Sequence, residues 1–209
     1  MKKLLRDNGL TIALMVCFLV SLLGMIVAGL ESHNAELADH SAGGMGLSTY
    51  LQSGQFLSAL FENWESEFLQ MAAYVVFTAI LFQRGSAESR DPDHPELSDD
   101  DIPSWPSRTA RWLYGRSLGL ALASLFVLSF FAHWRSSLVA ANEDARLHGM
   151  PPHSALAYLG DAEFWFESFQ NWQSEFLSTA VLVVLSIWLR HRGSPESKPV
   201  AASDSETGA

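Results

Sequence analysis

One heptapeptide occurs twice in the chain, Asn-Trp-x-Ser-Glu-Phe-Leu, as Asn63 to Leu69 and again as Asn171 to Leu177. Its polar members are the leading candidates for chemistry. Asn63, Ser66, Glu67 and Gln70 are spaced i, i+3, i+4, i+7, so a helix gathers them on one face. Asn171, Ser174, Glu175 and Ser178 repeat that face. If Glu67 and Glu175 approach each other, they form a paired-carboxylate site for a cation, a proton or a polar headgroup. A second reading makes the heptapeptide a folding motif. Asn and Ser then bond within or between helices, Glu reaches back to water, and Trp64 and Trp172 anchor a membrane interface.

Other chemistry is thinly represented. His40 and His148 have acids nearby, Asp39 and Asp144, but no H-x-x-x-H or H-E-x-x-H spacing exists, so no metal site is expected. Nucleophile elbows and glycine-rich phosphate loops are absent. No nucleophile–base pair can be named, so an enzyme is not expected, and no cofactor is called for. The single cysteine, Cys17, excludes an intrachain disulfide and a C-x-x-C site.

The elements that must carry the heptapeptide are membrane-like. Residues 10–30 hold 21 positions without a charge, about 31 Å of helix, the thickness of a bilayer core. Further apolar runs cover 68–82, 117–134 and 176–189. With flanking residues these give spans of about 9–30, 65–83, 116–135 and 173–190. Eleven Lys and Arg fall at the termini and in the central segment, and two fall in the long loops, which predicts cytoplasmic termini and a multi-pass inner-membrane protein. On that frame Glu67 and Glu175 lie 17 residues from Arg84 and Arg192, about 25 Å along a helix, at the outer edge of the hydrocarbon. A polar face at that depth is expected to turn inward, because lipid tails cannot solvate it. The apolar run near the N-terminus exceeds the h-region of a cleaved signal peptide.

One constant offset, the one that lays Tyr50 on Tyr158, aligns the two halves without a gap. From those tyrosines onward, 19 of 40 positions are identical. The fold expected is all-α: four transmembrane helices as two tandem hairpins inserted the same way up, residues 1–89 and 114–197. Ser53 and Asp161 are equivalent candidate N-caps for amphipathic helices that run along the outer surface into the spans. Gly43-Gly44 and Pro151-Pro152 are expected to end helical extensions of the first and third spans. Residues 90–113, with an acidic, Pro-containing stretch, read as a linker, and 198–209 read as a disordered tail.

Composition narrows the function classes. Charged residues make up 17% of the 209, below the soluble average of about 25%. Mean hydropathy is +0.11. The net charge of −10 leaves no basic excess for phosphates, so nucleic acid is not an expected partner. The expected partners are the bilayer and a protein, either another chain or a second copy. The start MKKLLRDNGL, the paired heptapeptide segments and the RGS-x-ES ends together resemble a bacterial family of small four-span membrane proteins of unknown function. That resemblance implies a membrane address and a bacterial origin, with no reaction, cofactor or catalytic residue. The role expected is a non-enzymatic membrane scaffold or accessory subunit. The alternative is an outward-facing ion or small-ligand site at Glu67 and Glu175.

Overall fold

The computed structural model describes residues 2–95 and 107–208, and these are helical with no strand among them. The acidic run 99–101 lies outside the described residues. The helices are α1 (Lys2–Asp39), α2 (Leu47–Tyr50), α3 (Gly54–Ile80), α4 (Arg108–Tyr114), α5 (Ser117–Leu147), α6 (Ala155–Leu159) and α7 (Ala162–Leu185). Two of them, α1 and α5, are long and apolar enough to cross a membrane. Along α1, Leu10, Val20, Leu23 and Val27 are all more than 60% exposed.

The chain divides into two units. The first comprises residues 1–60 and 134–158. Its helix ends are built by a matched pair of left-handed residues at aligned positions, Ser41 (φ 57°) and Gly149 (φ 69°). Ala42 N–H donates to Leu37 O at 2.8 Å, and Met150 N–H to Ala145 O at 2.7 Å. These are Schellman closures, which satisfy carbonyls that a helix end would otherwise orphan. The helices therefore stop ahead of the Gly-Gly and Pro-Pro pairs, and those pairs begin the outgoing loops. Each loop is then clasped by an asparagine. The Asn34 amide bonds both N–H and O of Met45, and the Asn142 amide does the same to His153. Tyr50 and Tyr158 are buried alike, and Tyr158 Oη lies 2.6 Å from Ser137 Oγ. At Gly54 the start of α3 meets the backbone of α5 so closely that a Cβ would fall 2.4 Å from Ala140 N. Only glycine permits that approach.

The second unit comprises residues 61–133 and 159–209. Asp161 caps α7 by accepting from Glu163 N–H. Each amphipathic segment runs without a break into the apolar one, so α3 and α7 are single helices. The Arg-Gly-Ser-x-Glu-Ser sequences after them fold into the same hook. Gly85 and Gly193 take φ of 85° and 86°. Ser89 Oγ accepts from Gln83 N–H, and Ser197 Oγ from His191 N–H, both at 2.8 Å. The tail differs from the disorder its composition predicts. Lys198 is buried, and its ammonium donates to the carbonyls of Ser203, Asp204 and Glu206. Gly208 N–H donates to Ser86 O, and Thr207 Oγ1 accepts from Gly85 N–H. A buried ammonium needs every proton donated, and the tail's carbonyls supply that, which fixes the segment.

Candidate functional site

Within the second unit, α3, α5 and α7 enclose an ionisable cluster that centres on Glu65, the variable residue of the first heptapeptide. The Glu65 and His133 side chains are both fully enclosed, with 0% exposure. Glu65 Oε2 lies 2.7 Å from His133 Nδ1. Glu65 Oε1 accepts from the indole Nε1–H of Trp172 at 2.9 Å. On the far side of the imidazole, His133 Nε2 lies 3.4 Å from Glu167 Oε2. An imidazolium can donate from both nitrogens, whereas a neutral ring can donate from only one. The carboxylate–imidazole–carboxylate order therefore suits a positive ring between two negative groups.

The surrounding residues keep Glu65 and His133 dry. Phe164, with no exposure, lies 5.1 Å from the His133 ring, and Phe130 meets Phe164 edge-on at 5.7 Å. Phe126 contacts Trp172 at 6.2 Å. One turn before Glu65 on α3, Glu62 forms the wetter edge of the cluster, where the Asn171 amide donates to its Oε1. Burial pushes the Glu62 carboxyl above the usual carboxylate range, and the nearby Glu167 pushes it further. His133 acts in the opposite sense. Burying charges is costly unless they are paired and hydrogen-bonded, and both oxygens of Glu65 are paired.

The residues singled out in the sequence have mixed positions. Ser66 is buried, and its Oγ donates to Asn63 O at 2.9 Å. Ser174 makes the same bond to Asn171 O at 2.8 Å but is exposed. Asn63 is exposed, and Asn171 is half-buried on Glu62. Glu67 is exposed and Glu175 half-buried, and the Glu67 charge acts on Glu175. Trp64 packs edge-on against Phe61 at 5.6 Å. Trp172, expected as an interface anchor, donates to the buried carboxylate. Gln70 Nε2 bonds Thr179 Oγ1, joining α3 to α7. In the first unit, His40 and His148 meet edge to face at 4.9 Å, and His148 Nδ1 lies 3.2 Å from Asp144 Oδ1. Among the described residues no group of three or more His, Cys, Asp or Glu is arranged to hold a metal.

Sequence reasoning missed Glu65, His133 and Glu167 as a set. One signal was available: His133 is an ionisable residue inside an otherwise apolar run, and such residues pair within the protein. Its partners come from two other helices, α3 and α7, beyond any local spacing rule.

The whole chain, residues 1–209, matches the family model described as Domain of unknown function (DUF6766), and the protein belongs to that family. No curated protein and no solved structure matches it significantly.

Proposed function

From that membership, which carries no assigned activity, we propose that the protein is a non-enzymatic membrane scaffold or accessory subunit of the bacterial inner membrane. Its four spans form two tandem hairpins inserted the same way up, with both termini cytoplasmic. The helix closures, asparagine clasps and hooks recur at aligned positions of the two halves, which supports the two-hairpin reading. One observation carries the scaffold reading: the Glu65–His133 pair of the second unit is sealed. Glu65 and His133 have no exposure, and both Glu65 oxygens are bonded by protein. A catalytic or transport centre needs access for its substrate. A sealed ionic knot instead holds three helices in fixed register, which is what a docking platform requires.

A second reading has its own support. Glu67 is exposed beside Glu175, so an ion or small polar ligand could reach that pair from outside. Purification in mild detergent, with mass spectrometry of the bound proteins, lipids and ions, separates the two. A scaffold brings down one partner in stoichiometric amount, and Glu67→Gln with Glu175→Gln leaves it bound. Loss of a specific ion with the double substitution, and no protein partner in either sample, would replace the scaffold with a ligand site. Topology is tested by impermeant thiol reagents. Cysteines placed at 31–50 and 136–157 should react in intact cells, and cysteines at 92–104 should not.

A further inference from the structure

On the other side of the Gln70–Thr179 bond, α3 and α7 leave a cavity of about 420 Å³ between them, a size in the range of small-ligand pockets. Its walls are apolar, formed by Phe77, Leu81, Phe176 and Val183 among others. Its charged lining residue is Glu88, from the first hook. Tyr74 Oη donates to Glu88 Oε2 at 2.6 Å. Glu88 Oε1 is shut off from solvent and is not reached by any amide, hydroxyl, ammonium or guanidinium donor among the described residues. The charged group that acts on this carboxyl is another carboxyl, Glu196, its counterpart in the second hook. The arginines of the first hook are engaged elsewhere, Arg84 with Asp93 and Arg90 with the carbonyls of Ala79 and Pro95.

We propose that this cavity binds an amphiphile with a primary ammonium head and an apolar chain. The head sits at the Glu88 carboxyl where it lines the cavity, and the chain lies along the Phe77–Val183 walls. The argument is charge complementarity. An apolar slot that ends on one carboxyl, with Tyr74 as its hydrogen-bond donor, selects a cation with an alkyl tail, and N⁺–H···O⁻ bonds are about twice as strong as neutral ones. A neutral alcohol would leave the Glu88 charge uncompensated. An anionic head would add to it. Burial pushes the Glu88 carboxyl up, the Tyr74 bond opposes that, and Glu196 pushes it up again. An ammonium would reverse the push, because an opposite charge favours the ionised form.

The test uses the full chain in phosphatidylcholine nanodiscs and two photoreactive probes with identical diazirine-bearing twelve-carbon chains, one a primary amine and one an alcohol. Peptides covering residues 71–83 and 176–184 should be labelled at least tenfold more by the amine at equal membrane concentration. Glu88→Gln should reduce amine labelling to the alcohol level, and Ala180→Phe, which fills the cavity, should remove both. Competition by phosphatidylethanolamine assigns the ammonium to a lipid headgroup. Competition by free dodecylamine alone assigns it to a free long-chain amine. Equal labelling by the two probes in the unaltered protein, or full amine labelling of Glu88→Gln, overturns the proposal. The first comparison needs no variant to fold. The cavity is independent of the Glu65 cluster, so failure here leaves the scaffold reading untouched.

Discussion

Asn63–Leu69 and Asn171–Leu177 differ at one position, Glu65 against Gln173, yet they do different things. Glu65 is sealed between His133 and Trp172, while Gln173 is exposed and bonds back to Gln170 O of its own helix. Ser66 is buried and Ser174 is not, although each makes the same bond to its own helix. The difference extends to the partners. The positions aligned with His133, Glu167 and Glu62 are Met25, Ala59 and Gln170, none of them ionisable. The ionic knot therefore lies where the halves diverge, and the asparagine clasps and hooks lie where they agree. Shared residues specify local backbone geometry in both halves, and the divergent ones concentrate charge in one place.

The largest effect that would break this contrast is expected from Glu65→Ala. Removing one partner of a buried pair leaves the other charge uncompensated, at a cost of about 3–5 kcal/mol. Gln173→Ala, on the same turn of the other copy, should stay within about 0.5 kcal/mol. Thermal melting in detergent compares the two, and equal losses would erase the asymmetry. Next comes Trp172→Phe, which keeps an aromatic ring but removes the indole donor to Glu65, worth about 1.5–3 kcal/mol for a bond to a charged group. Smaller still are Glu67→Gln and Glu175→Gln, about 0–1 kcal/mol each, as for ion-ion contacts near water. A large, cation-dependent loss in that pair would move the functional centre from the sealed cluster to the exposed one.

The pH dependence sharpens the same comparison. The Glu62 carboxyl is raised in the folded protein, so the fold binds its proton more tightly than the unfolded chain does. Its contribution is fully present below the ordinary carboxylate value and is lost as pH rises through the raised one. Between these two values, melting temperature should fall with rising pH in the native protein, and less steeply in Glu62→Gln. Identical slopes would show that Glu62 does not sense the cluster.

Much of the local structure was legible in the sequence. Ser53 and Asp161 were readable as caps because capping depends on one side chain and the next few N–H groups. The alignment of the two halves pairs the Arg-Gly-Ser-x-Glu-Ser endings, and the hook each forms became visible only in the structure. The helix stops were displaced to Ser41 and Gly149 because a Schellman closure needs one left-handed residue, and that residue comes before the Gly-Gly and Pro-Pro pairs. The tail was misread because composition does not register one buried ammonium collecting three carbonyls. The cluster was illegible for a different reason. Glu65 sits at the position a motif writes as x, and what gives it meaning is a histidine on another helix.

A double-substitution cycle on Glu65 and His133 tests the central claim most directly. Melting free energies are measured for the native protein, Glu65→Gln, His133→Met and the pair, with Met chosen because it stands at the aligned position 25. Each single change should be strongly destabilising, and the double should be much less so than their sum, with a coupling of about 2–3 kcal/mol. Additive losses, with coupling below about 0.5 kcal/mol, would mean that the two side chains do not hold α3 to α5, and the sealed knot would not be the fold's organising contact.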